Sequence, residues 1–250
     1  MATAFVHRVR SDELDLALPY LPARGRVLEL GAGDGWQAQE LARRGLVMTA
    51  VDVRTARRPA KQFFPVVHYD GRSLPFPDQS FDAIYSSSVL EHIVDFEFVQ
   101  GELARVLRPG GVAVHCVPSG TWRFWTSASH PVYAAQWGLR WLRGSVELNP
   151  APATESSATT PAKSIWHGLL PPRHGEHGSL LSEHWLFSRN GWSRRFRETN
   201  WRITALLPTQ LFYTGNEVFG LRLGSATRHR LAALLGSSTL IYVLAPGGTA

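Results

Sequence analysis

Arg26-Val-Leu-Glu-Leu-Gly-Ala-Gly-Asp-Gly35 is the stretch from which the fold can be worked out. A short apolar run ends here in three alternate glycines, and residues 36–44 then carry apolar side chains at helical spacing. The pattern predicts a strand, a tight turn and a helix. Glycine lets the backbone turn sharply and lets a ligand lie against it, and the first turn of a helix offers free N–H groups. The turn therefore favours a nucleotide-like ligand, although glycines also close plain loops.

Two acidic residues follow at the ends of the next predicted strands. Val47-Met-Thr-Ala-Val-Asp52 is a buried-type run that ends 21 positions after Gly31. A carboxylate at that place can accept hydrogen bonds from both hydroxyls of a ribose. Val66-Val-His-Tyr-Asp70 repeats the pattern, and its Asp70 is a candidate partner for the exocyclic amine of an adenine.

Five motifs stand in one order along the chain: Glu29 to Gly35, Asp52, Asp70, the run Phe81-Asp-Ala-Ile-Tyr-Ser-Ser-Ser-Val-Leu-Glu-His92, and Glu102-Leu-Ala-Arg-Val-Leu-Arg-Pro-Gly-Gly111. Together they resemble the motifs of class I S-adenosylmethionine (SAM)-dependent methyltransferases, in the small-molecule, methyltransferase type 11-like branch. The resemblance covers residues 20–118 firmly and the C-terminal part loosely. A dinucleotide-binding oxidoreductase is less favoured, because the glycines read Gly-x-Gly-x-Gly and not Gly-x-Gly-x-x-Gly.

The resemblance implies an α/β fold with a doubly wound, mostly parallel seven-stranded sheet of the Rossmann-like methyltransferase type and a cap inserted after strand five. We expect a SAM-binding core over 1–118, a substrate cap over 119–185 with a flexible loop at 144–163, and the C-terminal part of the core over 186–250. The remaining strands are expected at 81–86, 112–117, 201–207 and 239–245, the last of them antiparallel. Helices are expected from Asp95 to Leu107, over 190–200, and after an N-cap at Ser11, with residues 1–10 as a loose lead-in.

The resemblance also implies the cofactor, SAM, with S-adenosylhomocysteine as its product. The residues that it places around the cofactor are Glu29, Gly31, Ala32, Gly33, Gly35, Trp36, Asp52, Val53, Asp70, Gly71, Arg72, Ser86 and Ser87.

His92 is the candidate catalytic base. It lies at the end of the fourth predicted strand, and an imidazole titrates near neutral pH. In the methyltransferases that this chain resembles, a Glu-His pair at this place also packs against a helix and contacts the methionine part of the cofactor. A catalytic and a structural role of His92 therefore both stay open. Glu91 and His92 could hold a divalent ion, but two adjacent residues make an incomplete site, and the sequence predicts no metal.

A second polar cluster is a candidate for binding the acceptor through hydrogen bonds. It consists of His174, His177, Glu183 and His184, whose spacing matches no regular metal-binding pattern. Eight of the nine tryptophans lie between Trp122 and Trp201. They could stack on a sugar or an acyl chain, or form a helix face in a core, and residues 133–143 could instead lie on a membrane surface.

Composition narrows the class of protein. The chain has 250 residues, a net charge of +6 and an isoelectric point near 10.0, which suits anionic partners but also follows from a bias towards arginine codons. A single cysteine, Cys116, excludes an intramolecular disulfide and suits a reducing cytosol. The N-terminus lacks the apolar core of a signal peptide, so we expect a cytoplasmic protein.

These observations favour a SAM-dependent methyltransferase that acts on a small molecule or a glycan, at oxygen. Two absences support oxygen: the Pro-Pro-Tyr type motif of amino-directed nucleic-acid enzymes does not occur at 85–88, and Cys116 lacks the setting of cytosine C5 enzymes. No nucleic-acid partner is expected, and peripheral membrane contact stays open. The alternatives are a natural-product N- or C-methyltransferase and a non-catalytic SAM-binding or partner-binding protein. The acceptor and the oligomeric state are not determined by the sequence.

Overall fold

The computed structural model describes residues 2–54, 61–142, 173–179, 181–215 and 222–248. At its centre is a sheet of seven strands: β1 (Arg26–Leu30), β2 (Val47–Val53), β3 (Val66–Tyr69), β4 (Phe81–Ser87), β5 (Leu107–Pro118), β6 (Trp201–Pro208) and β7 (Thr239–Pro246). They lie in the order β3-β2-β1-β4-β5-β7-β6. The first five in this order are parallel, and β7 runs antiparallel between β5 and β6.

The path of the chain reverses between β1 and β4. From β1 the chain moves outward to β2 and β3, and it then returns to β4 on the other side of β1. In open sheets of this kind ligands bind beyond the carboxyl ends of the strands at this reversal. The glycine turn lies at that place, directly after β1.

The sheet is buried on both faces, which explains why its strands read as continuous apolar runs. Side chains alternate between the faces along a strand, so Val27 packs into one core and its neighbour Leu28 into the other. Both side chains are fully buried. The central strands are therefore held rigidly, and the loops at their carboxyl ends have a fixed base.

The helices that flank the sheet are α1 (Ala2–Ala17), α2 (Trp36–Arg43), α3 (Phe96–Val106), α4 (Gly120–Leu142), α5 (Ser182–Leu186), α6 (Arg189–Glu198) and α7 (Ser225–Leu235). Short 3-10 turns cover Leu18–Tyr20 and Leu90–His92. Asp95 begins α3, because its side chain accepts a hydrogen bond from the Phe98 N–H at 3.3 Å. Ser188 begins α6 in the same way through the Gly191 N–H at 3.0 Å.

The predicted lead-in over residues 1–10 is wrong for its described part. Helix α1 already begins at Ala2, and Ser11 lies within it. The reason is an apolar stripe at helical spacing, since Phe5, Val9, Leu14 and Ala17 are all buried. The stripe gives the early residues a packing surface that a loose segment would lack.

The predicted start of strand five at residue 112 also needs correction. Residues 108–111 already belong to β5, whose first residue, Leu107, pairs with Phe81 of β4. The Arg108 guanidinium donates to the Asp82 carboxylate at 2.6 Å, which ties this segment to β4. Helix α7 was not predicted at all.

The predicted cap over residues 119–185 is only partly covered by the residues that the structure describes. The loop at 144–163 lies outside the described residues, so the cap over 119–185 stays a prediction. Within the described part α4 follows β5 directly, and Trp122 of α4 is buried as expected of a helix face. The side chains of Trp137 and Trp141 are not among those described. No described helix is long and apolar enough to cross a membrane.

Candidate functional site

The glycine turn between β1 and α2 has the conformation that its sequence predicts. Gly31, Gly33 and Gly35 have φ angles of 70°, 56° and 77°, in the region that favours glycine. A Cβ on Gly31 would collide with the Val89 side chain, whereas a Cβ on Gly33 would find no atom within 4 Å. The turn is thus packed from below and open above Gly33, where a ligand can approach the backbone.

Asp52 joins this turn to the end of β2. Its carboxylate accepts hydrogen bonds from the N–H groups of Gly33 at 2.6 Å and of Val53 at 2.7 Å, one on each oxygen. Burial raises the pKa of Asp52, and the two backbone donors oppose the shift. Because each carboxylate oxygen has a further lone pair, the side chain can still accept from two ligand hydroxyls.

Asp70 follows β3, the neighbour of β2, and lies at the same edge of the sheet. The N–H groups of Arg72 and Ser73 both donate to its Oδ1 at 2.8 Å, and Gly71 between them has a φ of 83°. These donors lower the pKa of the exposed Asp70 carboxyl. The Arg72 guanidinium turns away, towards Asp95 at 3.2 Å, so only its backbone faces the predicted cofactor edge.

Glu29 is a buried carboxyl in β1, directly below the turn. Burial raises its pKa from 4.5 to about 8, although the Ala38 N–H donates to it. Its Oε2 atom has no hydrogen-bond partner among the described residues. A buried polar atom without a partner is costly, so this oxygen is available to a ligand donor or a water.

The two predicted serines at the end of β4 face different ways. The Ser87 hydroxyl accepts from the Arg10 guanidinium at 2.8 Å, at the carboxyl edge of the sheet. Ser86 is fully buried, and its hydroxyl bonds to His115 Nδ1 at 2.8 Å. The Ser86 side chain therefore faces the interior, because residues alternate across a strand, and only its backbone is left for a cofactor.

Helix α1 covers this edge, and the contacts that attach it join residues far apart in the sequence. Glu13 is fully buried, and its carboxylate accepts from Arg10 at 2.6 Å, Tyr213 at 2.9 Å and Thr239 at 2.6 Å. A carboxylate within an apolar helix stripe was the one available signal. The network fixes α1 over the carboxyl ends of β4 and the nearby start of β7.

The first turns of α1 also reach the glycine turn. The imidazole of His7 stacks on the Trp36 indole with 4.7 Å between ring centroids, and its Nε2 lies 3.2 Å from the Asp34 carboxylate. Trp36 was predicted at the cofactor site, whereas His7 was not. Residues from α1 therefore form a wall of the crevice.

His92 and the cluster from the predicted cap come together beyond β4. The rings of His92 and His174 contact each other edge to face with 4.9 Å between centroids, and the buried Glu91 lies beside both. Burial lowers the pKa of His92, and the neighbouring Glu91 carboxylate opposes this shift. The His92 side chain is 37% exposed, so it can contact an acceptor.

The other members of the predicted acceptor cluster have different surroundings. His177 Nε2 lies 2.9 Å from the carbonyl oxygen of Ile93, which holds the 173–179 segment against the turn after β4. His184 lies on α5 near Phe124, with 6.4 Å between ring centroids, and burial lowers its pKa. Both are only partly buried.

The predicted contact between Glu183 and the acceptor needs correction. Its side chain is fully buried, and Oε1 accepts from the N–H groups of His174 at 2.9 Å and Gly175 at 2.8 Å. Its other oxygen is 2.9 Å from the Arg123 guanidinium. A side chain with no exposed surface cannot contact an acceptor, so Glu183 positions His174 instead.

Comparison with known sequences finds a family that spans most of the chain. Residues 3–206 match the family described as a methyltransferase domain. A demethylmenaquinone methyltransferase of Corynebacterium urealyticum is 40% identical over 88 residues, which are 34% of this chain and 38% of that protein. An uncharacterised methyltransferase of a Mycobacterium species (strain JLS) is 42% identical over 108 residues, 42% of this chain and 43% of that protein. The matched region thus spans less than half the length of these relatives.

Solved structures show the same fold at low sequence identity. A SAM-dependent methyltransferase from Mesorhizobium loti superposes with a TM-score of 0.53 at 17% identity, over 93% of this chain and 97% of that one. A second structure is that of the geranyl diphosphate C-methyltransferase of Streptomyces coelicolor A3(2), solved with Mg²⁺, geranyl diphosphate and S-adenosylhomocysteine. It superposes with a TM-score of 0.53 at 12% identity, over 96% of this chain and 80% of that one. The predicted Rossmann-like methyltransferase fold is confirmed.

Proposed function

Since this chain belongs to the methyltransferase domain family, we propose that it transfers a methyl group from SAM to a hydroxyl oxygen of a small molecule or glycan. The observation that carries the proposal is the convergence of the glycine turn, Asp52 and Asp70 at the carboxyl edge of the sheet, where the strand order reverses. The Corynebacterium relative bears the name demethylmenaquinone methyltransferase, which supports a small acceptor.

The residues at this edge fit the cofactor. The backbone above Gly33 is open to a ligand, Asp52 keeps lone pairs for two ribose hydroxyls, and Asp70 can accept from the adenine amine. Glu29 offers a buried oxygen without a partner among the described residues. SAM, when bound, supplies an electrophilic methyl group on a sulfonium.

The chain's contribution to the reaction is to position the acceptor and to help remove its proton. Correct positioning of reacting groups lowers a barrier by about 7 to 11 kcal/mol in favourable cases. The exposed edge of His92 lies beyond β4, next to the cofactor edge, and burial keeps its pKa low enough for a neutral, proton-accepting imidazole at neutral pH. A positioned proton acceptor adds about 10² to 10⁴ in rate.

Titration calorimetry with S-adenosylhomocysteine tests the cofactor site. We expect micromolar binding, weakened about 10- to 100-fold in Asp52→Ala, because hydrogen bonds to a charged group contribute about 1.5 to 3 kcal/mol. Asp78→Ala is the matched control, since Asp78 is exposed and pairs with Arg105 away from the glycine turn. An absence of both heat and thermal shift with the native protein would refute the proposal.

Turnover is tested separately, with a panel of sugars and phenols and detection of S-adenosylhomocysteine. Transfer to oxygen supports the proposal, and transfer to nitrogen or carbon would assign the chain to the natural-product alternative. Cofactor binding without turnover on any acceptor would favour a non-catalytic SAM-binding protein.

A further inference from the structure

We propose that Glu91, His92 and His174 form a binding site for a divalent first-row transition-metal cation of the Zn²⁺ type. The site itself follows from the geometry of the chain, whereas its role in methyl transfer rests on the function proposed above. Two imidazoles and one carboxylate are a ligand set that Zn²⁺ and Fe²⁺ use in proteins, and they are poorly suited to Mg²⁺.

The three side chains are close enough to share one ion. One ligand atom from each lies within 4.8 Å of the others. Glu91 Oε1 is 3.7 Å from His174 Nε2 and 3.9 Å from His92 Nε2. Ligands at about 2.0 to 2.2 Å from a tetrahedral ion are about 3.4 Å apart. The two contacts of Glu91 exceed this value by about 0.3 to 0.5 Å, and the two imidazoles, at up to 4.8 Å, would have to approach each other by up to about 1.4 Å.

The Glu91 carboxylate lacks a directly bound cation among the described residues, because the Arg195 guanidinium interacts with it electrostatically but donates no hydrogen bond to it. The Glu91 side chain is 1% exposed, and neither carboxylate oxygen has a hydrogen-bond partner among the described residues. Burying a carboxylate without a partner costs several kcal/mol, and buried charges are normally paired or bound to metals. The two imidazole contacts are too long for hydrogen bonds. A metal ion between the three groups would satisfy the carboxylate and both rings.

His174 is held in place by its surroundings. The Glu183 carboxylate accepts from its N–H and from that of Gly175, and the Glu176 N–H donates to the Glu91 carbonyl at 2.9 Å. The Trp122 indole packs on the His174 ring with 4.5 Å between centroids. A rigid ligand loses little freedom on binding, which favours affinity.

One side of the cluster stays open, because the His92 and His174 side chains are 37% and 23% exposed. With three protein ligands, a fourth position is free for the acceptor, as in catalytic zinc sites. A hydroxyl bound there loses its proton to solvent more readily. If the methyl group of bound SAM lies within reach of this oxygen, the oxygen would attack the methyl carbon while the carbon–sulfur bond breaks with its electron pair on sulfur. With an ion bound, His92 would serve as its ligand, and this role would replace the direct proton acceptance proposed above for the metal-free imidazole.

Metal binding is measured on the full chain after treatment with a chelator. Equilibrium dialysis with Zn²⁺ is expected to give one ion per chain, and Co²⁺ is expected to show the visible absorption of a low-coordinate nitrogen and oxygen site. His92→Gln and His174→Gln each remove a ligand, and we expect affinity to fall by more than about 100-fold, beyond the 10- to 100-fold typical of losing an outer-shell partner. His68→Gln is the control, since His68 is exposed on β3.

The outcomes separate this inference from the proposed function. If the folded native protein binds no stoichiometric Zn²⁺, or if His174→Gln binds it as well as His68→Gln does, the site is refuted, whatever the result with S-adenosylhomocysteine. Unchanged circular dichroism establishes that the variants are folded. Zn²⁺ binding without binding of S-adenosylhomocysteine would support the site and refute the proposed function. Methyl transfer that persists unchanged in the chelated protein would refute the catalytic role of the ion.

Discussion

Among single residues, Glu29, which lies below the glycine turn, makes the stability of the fold depend on pH. Its pKa is raised from 4.5 to about 8, so the folded protein keeps a proton that the unfolded chain releases. The free energy of unfolding therefore falls as the pH rises from 4.5 towards 8 and levels off above it. Each pKa unit corresponds to about 1.4 kcal/mol.

We expect Glu29→Gln to remove this dependence, because the amide carries no charge at any of these pH values. Relative to the native protein, the variant should gain a few kcal/mol between pH 5 and pH 8.5, as about 1.4 kcal/mol per unit implies. Urea unfolding at both pH values measures the difference. Glu97→Gln, which changes an exposed carboxylate of α3, should not show it. Parallel curves for native protein and Glu29→Gln would contradict the assignment.

At the scale of elements, the attachment of α1 depends on the buried Glu13 carboxylate, which accepts from Tyr213 and Thr239 and also pairs with Arg10 of the same helix. We expect Glu13→Gln to destabilise the fold by about 3 kcal/mol, because it leaves the Arg10 guanidinium without its charged partner. Asp15→Asn is the matched control on the same helix, since Asp15 is 59% exposed and pairs with Arg44 at the surface. Such surface pairs contribute at most about 1 kcal/mol. The free energy of unfolding of each variant is measured by urea unfolding. An equal decrease in the two variants would show that the buried network does not hold α1.

At the scale of the whole molecule, several arginines are neutralised by neighbouring carboxylates. Four such pairs are spread along the chain: Arg44 with Asp15, Arg105 with Asp78, Arg108 with Asp82 and Arg194 with Glu198. We therefore expect only weak RNA binding that disappears as salt rises from about 50 to 200 mM. Fluorescence anisotropy with a single-stranded RNA measures it. Binding that survives 200 mM salt would indicate a dedicated nucleic-acid surface.

The fold and the site could be predicted from the sequence where the structure depends on residues that are neighbours along the chain. The glycines after β1, the carboxylates at the ends of β2 and β3, and the antiparallel β7 follow from local patterns and from the resemblance, and the structure has them. The sequence did not predict the contacts that join distant segments of the chain. Nothing in the spacing shows that His174 lies beside Glu91, or that Glu13 meets Tyr213. Such pairings are fixed by the packing of whole helices and not by any periodicity.

The place of β7 has a consequence for synthesis. β5 and β6 both bond to β7 and not to each other. On the ribosome the parallel half of the sheet, from β3 to β5, can assemble while translation continues, but β6 must wait for Thr239–Pro246 to emerge. Until then the free edge of β5 and the apolar residues of β6 are exposed to other nascent chains. We therefore expect rapid pairing of β7 with β5 and β6 to limit aggregation during synthesis.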